Sequence, residues 1–463
     1  MNPKNILLTS AALFAAFPIY AATYSWQSST SGNWSEAANW DQTGFPSTYG
    51  NSVTTPTNTG TAVLDTDIEL DQILNSGAAW TIQVSGTRTA SLDSLVVGGY
   101  GSLEFYIIDP SYSLDMTVGN LSVYTGTLAL GRANGFADRT ITNLNVTGST
   151  LIRGTLNVNA TGTASFGEVN VDGGNFSIFA LRTSSTASGG VTTAGLYGDS
   201  GQVYTTSASA ATTTVLTGNL TIDTAAATDY TFGGTILDRA GSGTGGDVSL
   251  ALVKNGTGTQ RLSGANTYTN TTTVNAGTLL VNGTHTGAGA YQINGGMLGG
   301  TGSITTDNAD IVVANGGGLT PGDGGVGTLT LDLGTGTLDL SGALQAANAL
   351  AFQIDTIASS DLIDLTGILN IGTGLLDFDS FDFSLLAGVE AGTYTLISST
   401  ESIVGSLGAT TSGTVGDWTF DLYLSGDNQN VLMDVATIPE PSTFALLAGL
   451  FGLASIAIRR RSR

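Results

Sequence analysis

Residue types that usually carry chemistry are scarce in this chain of 463 residues. It has no Cys, so thiol nucleophiles, thiolate metal sites and disulfides are all excluded. A single histidine, His285, lies in the Gly-rich run Asn282-Gly-Thr-His-Thr-Gly and is expected on a surface turn. Acidic residues are the plentiful reactive type. Asp65, Asp67, Glu69 and Asp71 alternate, and on one strand all four would project from the same face, where a cation or a sugar could be held. The plainer expectation is a solvated strand face that blocks edge pairing, and Asp377, Asp379 and Asp382 read the same way. A polysaccharide lyase needs a Lys or Arg base beside cation-holding acids, and a glycosidase needs paired carboxylates. The basic residues of the body are Arg88, Arg132, Arg139, Arg153, Arg182, Arg239, Lys254 and Arg261, scattered among Gly and Thr. No GxSxG elbow, phosphate-binding loop or dinucleotide fingerprint is present. The expectation is a protein that is not an enzyme, with no cofactor and no metal site.

What must position any functional surface is therefore a scaffold of strands. Gly supplies 65 residues and Pro only 8, with no Gly-X-Y period. One theme recurs: Gly, any residue, Leu, any residue, apolar. It begins at Gly101, Gly119, Gly126, Gly154, Gly218, Gly277, Gly327, Gly336 and Gly367. In each copy the Leu and the residue two later share one strand face, because side chains alternate. No apolar period of 3.6 residues with caps appears between residues 23 and 436, so helix should be minimal. Irregularly repeated one-faced strands predict an all-β fold, an imperfect right-handed parallel β-helix with roughly 20–25 residues per coil. A string of antiparallel sandwiches is the rival arrangement.

Both ends read as addresses. Lys4 precedes an apolar stretch from Ile6 to Ile19 and then Ala21 and Ala22, the layout of a secretory signal peptide cleaved after Ala21 or Ala22, with Ala21 preferred. At the other end Pro439, Glu440 and Pro441 precede an apolar stretch from Phe444 to Ile458, then Arg459, Arg460, Arg461 and Arg463. Clustered Arg after an apolar helix stays cytoplasmic, which puts the body across the membrane. This tail resembles the PEP-CTERM sorting signal. The resemblance implies recognition, and cleavage, by a membrane protease of the exosortase type.

The formal net charge of −23 becomes more negative once Lys4 and the four terminal Arg are removed with only Glu440. Nucleic acid is excluded as a partner on sign alone. Residues 252–283 read LVKNGTGTQRLSGANTYTNTTTVNAGTLLVNG. This stretch resembles the autotransporter-associated β-strand repeat. Lys254, Gly256, Gly258, Leu262, Ser263, Gly264, Asn266, Thr267, Tyr268, Thr272, Val274, Gly277, Thr278 and Leu279 fall on its pattern. The segment SGNWSEAANWDQTGFPS from Ser31 to Ser47 is similar to the opening of such passengers. The resemblance implies β-helix architecture and surface display rather than an activity.

The expected organisation is a signal peptide at 1–21, an N-terminal cap at 22–60 with Trp26, Trp34 and Trp40 covering the end of the stack, and a β-helix rod at 61–344. A β-rich C-terminal cap at 345–436 and a sorting signal at 437–463 with a transmembrane helix at 443–458 complete it. Thr183–Gly190 and Gly241–Gly246 read as loops. The expected function is that of an exported structural or adhesive component of the cell surface or extracellular matrix. Its partners would be the secretion machinery, an exosortase-type protease and exopolysaccharide. It would sit in the inner membrane through its C-terminal helix before processing, then at the surface. A carbohydrate-binding surface module is the alternative, ahead of a β-helix lyase; rows of aromatic side chains on an outer face would favour it.

Overall fold

A computed structural model of the chain describes residues 22–27, 31–55, 59–109, 111–131, 141–160, 162–180, 189–207, 216–238, 248–345 and 347–438. The fold is all-β: among the described residues the helical segments are single 3₁₀ turns at Ala37–Asn39, Ala343–Gln345 and Phe378–Ser380. No helix among them is long and apolar enough to cross a membrane. The sorting helix expected at 443–458 lies outside the described residues, as do Gly241–Gly246. So does most of Thr183–Gly190, although its last two residues already belong to the strand Gly189–Ser207. The chain divides into two compact units, residues 1–167 and 168–463, with the boundary inside the strand Ala164–Ala180.

In the first unit the strands pair in parallel with strands farther along the chain. Gly60–Leu64 lies beside Trp80–Val84, which lies beside Ser102–Ile107, then Thr127–Leu130, then Thr155–Val158. Because the register is in phase, like residues fall above one another. Trp80, Leu103, Leu128 and Leu156 form one buried column, and Ala62, Ile82, Phe105, Leu130 and Val158 another. At the start of the unit, Ala22–Ser25 pairs in parallel with Asn51–Thr54. Trp26, Trp34, Trp40 and Trp80 are buried together, with ring centroids of Trp34 and Trp40 4.8 Å apart at 69° and of Trp26 and Trp40 5.0 Å apart at 88°. Indole N–H groups fix two of these rings: Trp34 donates to the Pro46 carbonyl at 2.6 Å and Trp40 to that of Trp34 at 2.8 Å.

In the second unit parallel pairing continues with a short, regular offset. Leu252 lies opposite Thr272, Thr272 opposite Tyr291, and Tyr291 opposite Ile311. A second ladder runs Thr259–Leu262, Thr278–Val281, Met297–Gly300 and Gly318–Pro321. Where these strands turn into the next, Gly264, Gly283 and Gly302 stack on one another. A Cβ on Gly264 would lie 1.9 Å from the Gly234 carbonyl oxygen, one on Gly283 2.2 Å from that of Gly264, and one on Gly302 2.0 Å from that of Gly283. At this corner the backbones are in contact, so a side chain has no place. Near the end the pattern changes: Gly392–Ser399 pairs antiparallel with Asn430–Thr437, and that strand pairs antiparallel with Trp418–Leu424.

All eighteen inward positions of the nine Gly-x-Leu-x-apolar copies are buried, from Leu103 and Phe105 to Leu369 and Ile371. The acidic series behaves otherwise. Asp65 and Asp67 lie between the strands Gly60–Leu64 and Ile68–Asn75, so the four acids do not share one strand face. Asp65 accepts the Ser35 backbone N–H at 2.9 Å, Asp67 that of Thr89 at 2.8 Å, and Asp71 that of Gly50 at 2.7 Å. Asp377 likewise takes the Thr410 N–H at 2.9 Å and starts the 3₁₀ turn Phe378–Ser380. These carboxylates satisfy backbone donors where neighbouring strands leave the ladder.

Candidate functional site

The second unit carries polar groups in two settings, one inside the fold and one on an outer sheet face. Inside, Lys254 is fully buried at the end of the strand Val248–Asn255. Its ammonium donates to the carbonyls of Asn255 at 2.6 Å, Gly256 at 2.9 Å and Ala276 at 3.2 Å. Burial pushes its pKa down to about 8, against the pull of Asp223, so it remains charged at neutral pH. Gln260 accepts the Leu196 N–H at 3.2 Å and donates to the Leu196 carbonyl at 2.8 Å, clamping both backbone polar groups of that one residue on the strand Gly189–Ser207.

His285 is buried rather than on a surface turn, because the strand Thr284–His285 turns its ring inward beside Asn266 of the previous layer. Its ring stacks on Tyr268 at 4.2 Å and 21°. Nε2 lies 2.8 Å from the Tyr268 carbonyl oxygen and Nδ1 2.5 Å from the Tyr291 hydroxyl. A carbonyl only accepts, so Nε2 carries the proton and Nδ1 accepts from Tyr291. Burial lowers the His285 pKa and raises those of Tyr268, to about 12, and Tyr291, so all three stay neutral near pH 7. With every polar atom engaged inside the core, this cluster is a structural fastening with no open position for a substrate.

Outside, the outward residues of the second ladder line a groove of about 310 Å³. Arg261, Leu280, Met297, Gln353 and Asp382 are among its lining residues. Leu280, between the inward Leu279 and Val281, is thus a lining residue of this groove. Arg261 Nε donates to both oxygens of Asp323 at 3.0 and 2.8 Å, and Asn282 donates to the same carboxylate at 2.8 Å. This pins the loop after Pro321 over the groove and holds the Asp323 carboxyl below its usual pKa.

A second cleft, of about 590 Å³, opens on the strands Ala164–Ala180, Gly189–Ser207 and Asp229–Phe232. Tyr197 and Tyr230 stand in it with ring centroids 6.0 Å apart at 30°. Glu168, Asp172, Asp199 and Asp229 surround them. The Tyr230 hydroxyl donates to Glu168 at 2.7 Å, and burial with that carboxylate raises its pKa to about 12. Sequence reasoning missed this cleft, because its residues come from three separate segments and only parallel pairing unites them. Among the described residues no three His, Asp or Glu side chains are grouped to hold one metal ion.

Of the residues expected to direct export, Ala22 opens the first strand and its N–H donates to the Gly50 carbonyl at 3.3 Å. Ala21, Pro439, Glu440, Pro441, Arg459, Arg460 and Arg461 lie outside the described residues. Comparison with known families identifies two segments. Residues 252–281, which hold Lys254, Gln260, Tyr268 and Thr272, match the passenger-associated transport repeat. Residues 437–461 match the PEP-CTERM protein-sorting motif. No curated protein matches the chain. The two segments mark an exported protein sorted to the cell surface, and the sorting motif implies an exosortase as its processing partner.

Proposed function

We propose that the chain is a non-enzymatic structural or adhesive component of the cell surface or extracellular matrix, built on parallel β-helices. Its apolar segment 443–458 would hold it in the inner membrane until an exosortase cuts near Pro441. The observation that carries this reading is the passenger-type repeat at 252–281, set in continuous parallel ladders, in the same chain as a sorting motif at 437–461. In-register parallel pairing with one buried face per strand supports the helical stack, and the usual hand of parallel crossovers makes it right-handed. The antiparallel strands at the C-terminal end support a cap, since they interrupt the parallel edge.

Mass spectrometry of the mature termini tests the addresses. The chain is expected to begin at Ala22, because cleavage one residue later removes the Ala22–Asn51 pairing, and to end near Pro441. Recovery of intact Arg463 on surface material would refute the exosortase step. A second reading, a carbohydrate-binding surface module, is favoured by the tyrosine cleft between Glu168 and Thr231.

A further inference from the structure

The chain holds five Asn-Gly pairs, Asn134-Gly135, Asn255-Gly256, Asn282-Gly283, Asn294-Gly295 and Asn315-Gly316, of which the first lies outside the described residues. In such a pair the backbone nitrogen of the glycine can attack the side-chain carbonyl carbon of the asparagine, and a residue without Cβ leaves that approach unobstructed. The four described pairs are alike in sequence but not in setting.

Three of them are held. Along one corner of the second unit the side-chain amides of successive layers form a ladder: Asn294 donates to Asn275 at 2.9 Å, and Asn275 to Asn255 at 3.0 Å. The Gly295 N–H is engaged as well, with the Val274 carbonyl at 3.4 Å. Asn282 donates to Asp323 at 2.8 Å and accepts the Thr301 N–H at 3.2 Å, while the Gly283 N–H donates to the Leu262 carbonyl at 3.0 Å. In the layer after Asn294 the ladder stops. Asn275, Asn294 and Ala314 are equivalent, since their N–H groups donate to the Lys254, Val274 and Ile293 carbonyls. Alanine thus takes the ladder position, and the asparagine falls one residue later. Asn315 and Gly316 are exposed at the tip of a turn closed by the Gly317 N–H on the Ala314 carbonyl at 2.9 Å. Among the described residues neither the Asn315 amide nor the Gly316 N–H has a hydrogen-bond partner.

We propose that Asn315 is a site of spontaneous deamidation, and that hydrogen bonding holds the other described pairs back from the same reaction. The Gly316 nitrogen bonds to Asn315 Cγ, the bond from Cγ to the amide nitrogen breaks, and the displaced proton leaves with that nitrogen as ammonia. Water then opens the cyclic imide at either carbonyl, giving aspartate or isoaspartate, with no other co-reactant. The product adds a negative charge to a chain of net charge −23. Isoaspartate also lengthens the backbone of a turn that joins the strands Ile311–Val313 and Gly318–Pro321, one from each ladder of the second unit. The inference goes beyond the matrix reading and does not rest on it.

Peptide mapping by mass spectrometry of the full mature chain, aged at mildly alkaline pH both folded and in urea, tests it. A hydrogen bond that must open before reaction slows it about tenfold, so in the folded chain Asn315 should convert at least about tenfold faster than Asn255, Asn282 or Asn294. In urea the four rates should converge. Asn275→Ala, at an exposed position, removes the middle of the ladder and should quicken conversion at Asn255 and Asn294. Rates alike at all four sites in the folded chain overturn the proposal. So does a ranking that persists in urea, or conversion at Asn255 and Asn294 that Asn275→Ala leaves unchanged.

Discussion

Two ladders, one in each unit, are built on the same parallel pairing from different materials. In the first, the column Trp80, Leu103, Leu128 and Leu156 is apolar throughout. In the second, the repeat between residues 252 and 313 buries Lys254, Gln260, Asn266, Thr272 and His285 along with its Leu, Val and Tyr. Apolar columns require volume and periodicity, which many residues meet. Polar columns require a named partner for each atom, as Lys254 has in three carbonyls. The difference explains why one stretch reads only as a loose theme, whereas the other is specific enough to match a family model.

Substitutions can break that contrast. The largest effect is expected from Leu128→Ala, which should destabilise the first unit by about 3–4 kcal/mol through a cavity, while Leu128→Met should cost under about 1.5 kcal/mol. Urea unfolding monitored by Trp fluorescence checks both. Lys254→Met keeps the stem but strips three part-buried carbonyls of their charged donor, and should cost about 2–3 kcal/mol. A Lys254→Met protein as stable as its parent would mean that the polar interior is no more demanding than the apolar one. Tyr291→Phe removes the hydroxyl that donates to His285 Nδ1 and should cost about 1–1.5 kcal/mol, visible as faster amide exchange in Thr272–Val274 and Tyr291–Ile293.

The smallest effect is a pH dependence with two opposed parts. The folded His285 pKa is lowered, so below about 6.5 the unfolded chain takes up a proton that the folded chain refuses, and stability falls on acidification. Buried Asp361, which accepts the Gly327 and Gln353 N–H groups at 2.7 Å, has its pKa raised to about 6 by burial. Between about pH 6 and 4 the folded chain takes up that proton first, so this group adds stability as pH falls and loses it as pH rises through 6. Replacing His285 with Asn should flatten the loss between pH 6.5 and 5, and replacing Asp361 with Asn should steepen it.

The strand faces were legible because alternation is local: Leu103 with Phe105, or Leu329 with Leu331, declares its inward side within five residues. Partners across layers were not. The same alternation extends through Asp65, Asp67, Glu69 and Asp71, yet the strand breaks there, where Ser35 in the turn after Gly32–Asn33 and Thr89 on the strand Thr87–Val97 present N–H groups that Asp65 and Asp67 accept. His285 read as a turn residue for the same reason. Its Gly neighbours mark close backbone approach, and the rings of Tyr268 and Tyr291 that enclose it belong to adjoining layers. The tyrosine cleft draws on Glu168, Tyr197 and Tyr230, which no window of sequence joins.

The glycine column at Gly264, Gly283 and Gly302 bears on how such a chain can change its length over generations. Each member touches the carbonyl of the one before, so a partial insertion between them would drive a side chain into occupied space. Duplication of an entire segment from one glycine to the next brings its own bare corner and meets no such obstacle. Length in this region is therefore inherited in whole layers, and smaller additions survive only where the chain has already left the stack.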